Sequence, residues 1–229
     1  MRNPVFVFDW DGTLLDSKLV KRESFCLAIA EFLRCKFGHS VSMPQLFTAF
    51  ERNSGHPREV VVSRIIHSEK HHASEIEIQR ICDNISALIG LKIDRCRMFP
   101  DAIEILRFFG RCNIGMSISS SVPQTELHHL VGAFLPIDLR EKLNPILGSD
   151  GLSRKGSPHF SRVCEHYGCD YDDLIFVGDD HADHEIAKNC NVKFVRIDRL
   201  ETLTEYKTSI VIRSLRHLRD IPIKCMTGE

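Results

Sequence analysis

The stretch Val5-Phe6-Val7-Phe8-Asp9-Trp10-Asp11-Gly12-Thr13-Leu14 decides the fold. Its first four residues are β-branched or aromatic, the composition of a short buried strand, and Asp9 and then Gly12 break it off into a loop. The two acids therefore stand at a strand's C-terminal edge, where open α/β sheets bind ligands. Two residues apart in extended chain, Asp9 and Asp11 point the same way. Like charges packed together cost free energy unless a cation neutralises them, so the pair predicts a divalent metal beside a nucleophile. The same residues also allow a solvated Asp-Gly turn.

A chain of 229 residues can bury a substantial core. The formal net charge of -1, with both signs interspersed, leaves no basic footprint for nucleic acid or an anionic membrane, so small soluble ligands are the expected partners. Nine cysteines, an odd number without a C-x-x-C pair, fit reduced structural thiols. No apolar run approaches the roughly 20 residues that span a bilayer. A cytoplasmic protein, monomer or homodimer, is expected.

From Ser17 to about Arg97 the apolar residues recur at helical spacing. Phe25, Ala28, Ile29, Phe32 and Leu33 form one stripe, stopped by Gly38. Ser42 with Gln45 and Ser74 with Glu77 have capping-box spacing, the second opening a helix that Gly90 ends; a further helix is expected over Arg58–His67. After Pro100 the rhythm alternates. Helices are expected from Pro100, over Pro123–Val131, from Ser157-Pro158 to Tyr167 and over Asp183–Cys190, with strands at Asn113–Ile118, Leu174–Val177 and Val192–Ile197. This alternation predicts an α/β fold, a doubly wound parallel sheet, with an α-helical domain inserted after the acidic loop. The expected domains are 1–16 with 98–229 for the core and 17–97 for the insertion, hinged near Asp16–Lys18 and Asp94–Phe99.

Three more expected strand ends carry polar groups. Ser119-Ser120-Ser121 precede a helix N-terminus, as phosphate-binding hydroxyls or as ordinary N-caps. The loop Gly148–Gly156 offers Lys155, and Gly178-Asp179-Asp180-His181-Ala182-Asp183 is a second carboxylate cluster or an acid-rich helix start. Taken in order, Asp9-Trp10-Asp11-Gly12-Thr13, Ser119, Lys155 and Gly178-Asp179…Asp183 resemble the haloacid dehalogenase superfamily, whose phosphatases carry DxDGT, a Ser or Thr, a Lys, and GDxxxD. The inserted helices resemble that superfamily's helical cap of the first type. The first and last motifs are highly specific; the middle two lean on order and placement.

The resemblance implies Asp9 as the nucleophile that forms an aspartyl-phosphate and Asp11 as the acid that protonates the leaving group and then activates water. It implies Thr13, Ser119 and Ser120 around the phosphate, and Lys155 balancing charge on Asp9 and the phosphoryl group. Mg2+ would be held by Asp9, the Asp11 carbonyl and Asp179, with Asp183 steadying its shell; an oxygen-rich set suits magnesium better than zinc. Asp180 departs from the usual pattern, as a further acid near the metal or a solvated helix-start residue. Superfamily dehalogenases lack the acid at Asp11, and phosphonate hydrolases have a small residue there, so Asp11 implies phosphate-ester chemistry. Ser54-Gly55-His56-Pro57-Arg58-Glu59 resembles a substrate-facing cap loop. Arg58, His56 and Lys21 are thus the candidate specificity residues, although Arg58 also reads as an exposed helix-start arginine. The expected activity is a magnesium-dependent phosphatase for a small phosphorylated metabolite, phosphoglycolate-like or sugar-phosphate-like. A phosphomutase of the β-phosphoglucomutase type, or a noncatalytic phosphate-ligand sensor, are the alternatives.

Overall fold

The computed structural model describes residues 4–151, 153–199 and 210–220; Leu152, in the loop that carries Lys155, and the parts of the expected core beyond these ranges lie outside them. The chain forms two compact units, Met1–Asp16 with Met98–Glu229, and Ser17–Arg97.

The first unit is built on β1 (Val5–Phe8), β4 (Gly115–Pro123), β5 (Leu143–Ser149), β6 (Leu174–Gly178), β7 (Lys193–Ile197) and β8 (Ile210–Ile212). These six strands pair in parallel in the order β5-β4-β1-β6-β7-β8, while β2 (Leu15–Asp16) and β3 (Arg97–Met98) form a separate two-stranded ribbon. Among the described residues the α-helices of this unit are α5 (Pro100–Arg111), α6 (Gln124–Phe134), α7 (Ile137–Arg140), α8 (Ser157–Tyr167) and α9 (His181–Asn189). Because β1 is central, both of its faces are covered, which is why its sequence is apolar without alternation. Val5 and Val7 join Phe160, Val163, Phe176, Ala187 and Phe194 in one core layer. The alternate residue Phe6 stacks on Phe109 of α5, ring centroids 4.4 Å apart.

The polar end of the sheet departs from the sequence pattern. β4 continues to Pro123, so Ser119 and Ser120 lie within the strand and cap no helix. Their hydroxyls bond elsewhere, Ser119 with His159 and Ser120 accepting from the Val122 N–H. Strand β5 is hidden in the sequence by Asn144-Pro145; it lies at the sheet edge, where a missing backbone donor is tolerated. The short elements β8 and α7 also escape the pattern. Gly156 is the N-cap of α8, with Ser157 and Pro158 already helical.

The second unit holds α1 (Lys18–Phe37), α2 (Met43–Asn53), α3 (Arg58–Ser68) and α4 (Glu75–Leu91). Gly38 ends α1 in the left-handed region at φ 62°, returning its N–H to the Arg34 carbonyl. Ser74 and Glu77 form the reciprocal capping box. Ser42 does not: its Oγ donates to Gln45 Oε1 at 2.6 Å and leaves the backbone donors of α2 alone. Helix α4 runs past Gly90 to Leu91.

One brace positions the acidic loop. Asp101, in the first turn of α5 and 7% exposed, accepts hydrogen bonds at Oδ2 from Ser214 Oγ (2.8 Å), the Leu215 N–H (2.8 Å) and Arg199 Nη1 (3.0 Å). Arg199 also donates to the Thr13 carbonyl at 2.9 Å and lies 3.7 Å from the centroid of the Phe99 ring. Burial alone pushes the Asp101 carboxyl up, but the bonds from Arg199, Leu215 and Ser214 outweigh it and hold the group below its ordinary value. A lowered native pKa stabilises the fold above the unfolded carboxylate range and loses that stabilisation as pH falls through the native value. Asp101→Asn is expected to lower the unfolding free energy by about 2 kcal/mol at neutral pH. Urea titrations should show the deficit shrinking below about pH 4. A deficit independent of pH would show that the carboxylate charge is not what the brace uses.

Candidate active site

The Asp9 N–H continues the β-ladder to the Val177 carbonyl at 2.8 Å, holding the carboxylate at the end of β1. Beyond it the loop folds back. Leu14 and Leu15 N–H groups share the Trp10 carbonyl at 3.0 and 2.9 Å, and the Gly12 N–H reaches the Leu15 carbonyl at 2.8 Å. Gly12 takes φ 81°, where a side chain would be strained. Thr13 is fully buried and its hydroxyl points to Asp179 Oδ1 at 3.5 Å; Asp11 is half-buried.

Lys155 enters from the loop before α8, turned by Gly156 at φ 123°. Its side chain is 4% exposed, and its Nζ lies 2.5 Å from Asp9 Oδ1 and 2.6 Å from Asp183 Oδ1. Burial opposes the charge on Lys155, but the Asp183 and Asp9 carboxylates together hold its pKa above the ordinary lysine value. Burial pushes Asp9 up to about 7; Lys155 pulls it back, while Asp183 and Asp11 push the same way as burial. Asp183 is raised as well, by burial first and then by Asp180, against the pull of Lys155. One cation is thus set among more negative charge than it can balance.

Asp9, Asp179 and Asp183 offer carboxylate oxygens all within 4.8 Å of one another. Asp183 Oδ2 is buried and receives no hydrogen bond among the described residues. A hard, oxygen-only donor set with an orphaned buried carboxylate oxygen fits a small divalent cation. Gly178 makes room for it: a Cβ there would stand 2.3 Å from Asp183 Oδ2 and 2.7 Å from its Cγ. Asp180 is the half-buried N-cap residue of α9. His181, His184 and Glu185, on the first turns of α9, bring a second set of donor atoms within 4.8 Å.

The fold therefore gathers Asp9, Thr13, Lys155, Asp179 and Asp183. Ser119 lies one residue beyond Ile118, which pairs with Phe8, and so stands beside Asp9 within the neighbouring strand. It is fully buried, its Oγ 2.9 Å from His159 Nδ1. In the helical unit Arg58 is 6% exposed and donates to Ser86 Oγ and, at 3.5 Å, to the Cys82 carbonyl. His56, in the turn that Gly55 makes at φ 85°, and Lys21 on α1 are half-buried. Sequence reasoning quoted Gly178 in the GDxxxD run without giving it a role, and overlooked His159 and the Arg199–Asp101 brace. A small residue opening the GDxxxD run was a usable signal for Gly178; His159 and Arg199 carried none, because their partners lie 40 and 98 or more positions away.

The pattern that defines haloacid dehalogenase-like hydrolases matches residues 6–197. The chain belongs to that family. It is 25% identical to a phosphoglycolate phosphatase of Mesorhizobium japonicum, over 93% of this chain and 91% of that protein. Its fold resembles a hydrolase from Pseudomonas syringae (TM-score 0.73, 20% identity, 96% of this chain and 99% of that one). It also resembles CbbY from Rhodobacter sphaeroides in complex with phosphate (TM-score 0.76, 13% identity, 95% and 96%).

Gly178→Ala is expected to destabilise the protein by about 1–3 kcal/mol, because the methyl must displace the Asp183 carboxylate. Chemical denaturation measures this, and a variant as stable as the parent would show that Asp183 can move aside freely.

Proposed function

We propose that the chain is a phosphatase that hydrolyses a small phosphorylated metabolite, phosphoglycolate or a sugar phosphate, by way of an aspartyl-phosphate and with magnesium at its carboxylate cluster. The observation that carries this reading is the buried Asp9 carboxylate, held at a strand end by Lys155 and faced by Asp179 and Asp183. The phosphoglycolate phosphatase of M. japonicum supports the substrate class. Free, buried thiols such as Cys26, pushed up to about 12 by burial, support a reducing compartment such as the cytoplasm.

In this reading Asp9 attacks phosphorus, forming a new P–O bond as the ester P–O bond breaks, and Asp11 gives its proton to the departing oxygen. Asp11, now ionised, removes a proton from water that hydrolyses the acyl-phosphate and regenerates Asp9. Lys155 favours the ionised form of Asp9 and offsets charge on the phosphoryl oxygens, while Thr13, Ser119 and Ser120 hold those oxygens. Asp9, the Asp11 carbonyl and Asp179, supported by Asp183, would hold magnesium, which would supply the remaining positive charge. Discrimination of the rest of the substrate is assigned to the helical unit, with Lys21, His56 and Arg58 as its candidates.

Phosphate release from a panel of phosphomonoesters, phosphoglycolate and sugar phosphates among them, tests the reading. Activity should require magnesium, vanish in excess EDTA and return on adding the ion. Asp9→Asn should retain the fold and less than roughly one-thousandth of the activity. For Asp11→Asn the loss should be smallest with nitrophenyl phosphate, whose leaving group needs little protonation. Turnover undiminished by EDTA, or by Asp9→Asn, would refute the mechanism.

A further inference from the structure

His159 is the third residue of α8, four positions after Lys155 and on the same continuous stretch. It is fully buried. Phe160 and Val163 on the same helix belong to the apolar core, and His159 is not among the residues the phosphatase chemistry uses. Its Nδ1 meets Ser119 Oγ at 2.9 Å, and the Gly148 and Ser153 backbone carbonyls lie against the ring as well. A buried imidazole with a single side-chain bond, and that bond to a residue level with the nucleophile, is a costly feature for a core to keep without use. Burial, and then the nearby Lys155 charge, lower its pKa to about 4, so the ring is neutral and carries one proton. Ser119 is out of water too, leaving no solvent to orient its hydroxyl.

We propose that His159 is a positioning residue, which holds the Ser119 hydroxyl toward the phosphoryl group by donating its Nδ1–H to Ser119 Oγ. With that lone pair occupied by the imidazole, the serine's own hydrogen is the one available to a phosphoryl oxygen. Gly156 sets both contacts at once. Its carbonyl accepts from the His159 N–H at 3.0 Å, so the turn that presents Lys155 to Asp9 and Asp183 also places the imidazole on Ser119.

The proposal rests on the phosphatase reading and is tested by a kinetic cycle, with the binding of inorganic phosphate to the magnesium-loaded protein measured by calorimetry alongside it. Ser119→Ala should lower kcat/KM by roughly 10- to 100-fold and His159→Leu by roughly 5- to 10-fold, and both should weaken phosphate binding. In the Ser119→Ala background His159→Leu should change neither quantity by more than about twofold, because its partner is already gone. Asn places an amide where Nδ1 stands and Gln places one where Nε2 stands. His159→Asn should therefore recover activity to within about threefold of the parent while His159→Gln does not, a difference that also decides the matter if the leucine variant fails to fold. Full additivity in the double variant, parental kinetics in His159→Leu, or equal activity of the Asn and Gln variants would overturn it. If the parent releases no phosphate from any ester, the phosphatase reading fails by itself, and the same variants compared by phosphate affinity still test the His159–Ser119 coupling.

Discussion

The arrangement hangs on one ammonium group. Lys155 is almost completely withdrawn from water and lies between Asp9 and Asp183, at 2.5 and 2.6 Å. Taking three charges out of solvent is favourable only when their geometry is held tightly, since either carboxylate left alone in that setting would cost several kcal/mol. The surrounding features serve that geometry. The ladder bond from Asp9 fixes one acid, the bare Cα of Gly178 lets the other approach, and the left-handed turn at Gly156 aims the lysine between them. The site stays electrically incomplete all the same, because Asp179 adds a third carboxylate to the group. An excess of buried negative charge is the physical reason this cluster suits a cation.

A parallel sheet makes this assembly possible from residues far apart in sequence. Every strand of the main sheet runs the same way, so Asp9, Ser119 and Gly178 are brought level on neighbouring strands, and the helices that follow contribute from above the same edge. The chain then needs only local devices, a glycine here and a hydrogen bond there, to turn side chains that are already close into a site.

How much of this could be read in advance follows from the range of the interactions. β1 and β6 announce themselves because a strand covered on both faces must be apolar throughout, and the acids that end them are visible as interruptions. The cap of α4 is legible because both of its partners lie within four residues, and even so the same spacing at Ser42 misleads, since the two side chains bond each other there. The edge strand β5 is lost to Asn144-Pro145, which mimic a turn. The three serines suggest a helix cap because hydroxyls before a helix usually serve as one; in the folded chain β4 runs on through them, the Ser119 hydroxyl meeting His159 and that of Ser120 the Val122 N–H. Buried polar contacts between distant positions, such as His159 with Ser119, have no periodicity and leave no trace in one sequence.

The guanidinium of Arg199 holds the Thr13 carbonyl, the Asp101 carboxylate and the face of the Phe99 ring together. Through them the loop bearing Asp9 and Asp11 is clamped to a segment that follows the sheet's β7. Damage to this clamp would leave the carboxylates and Lys155 in the chain and loosen only their alignment. Such lesions have a recognisable genetic character: conditional alleles, active when cool and failing when warm, at positions that an inspection of the motifs alone would pass over.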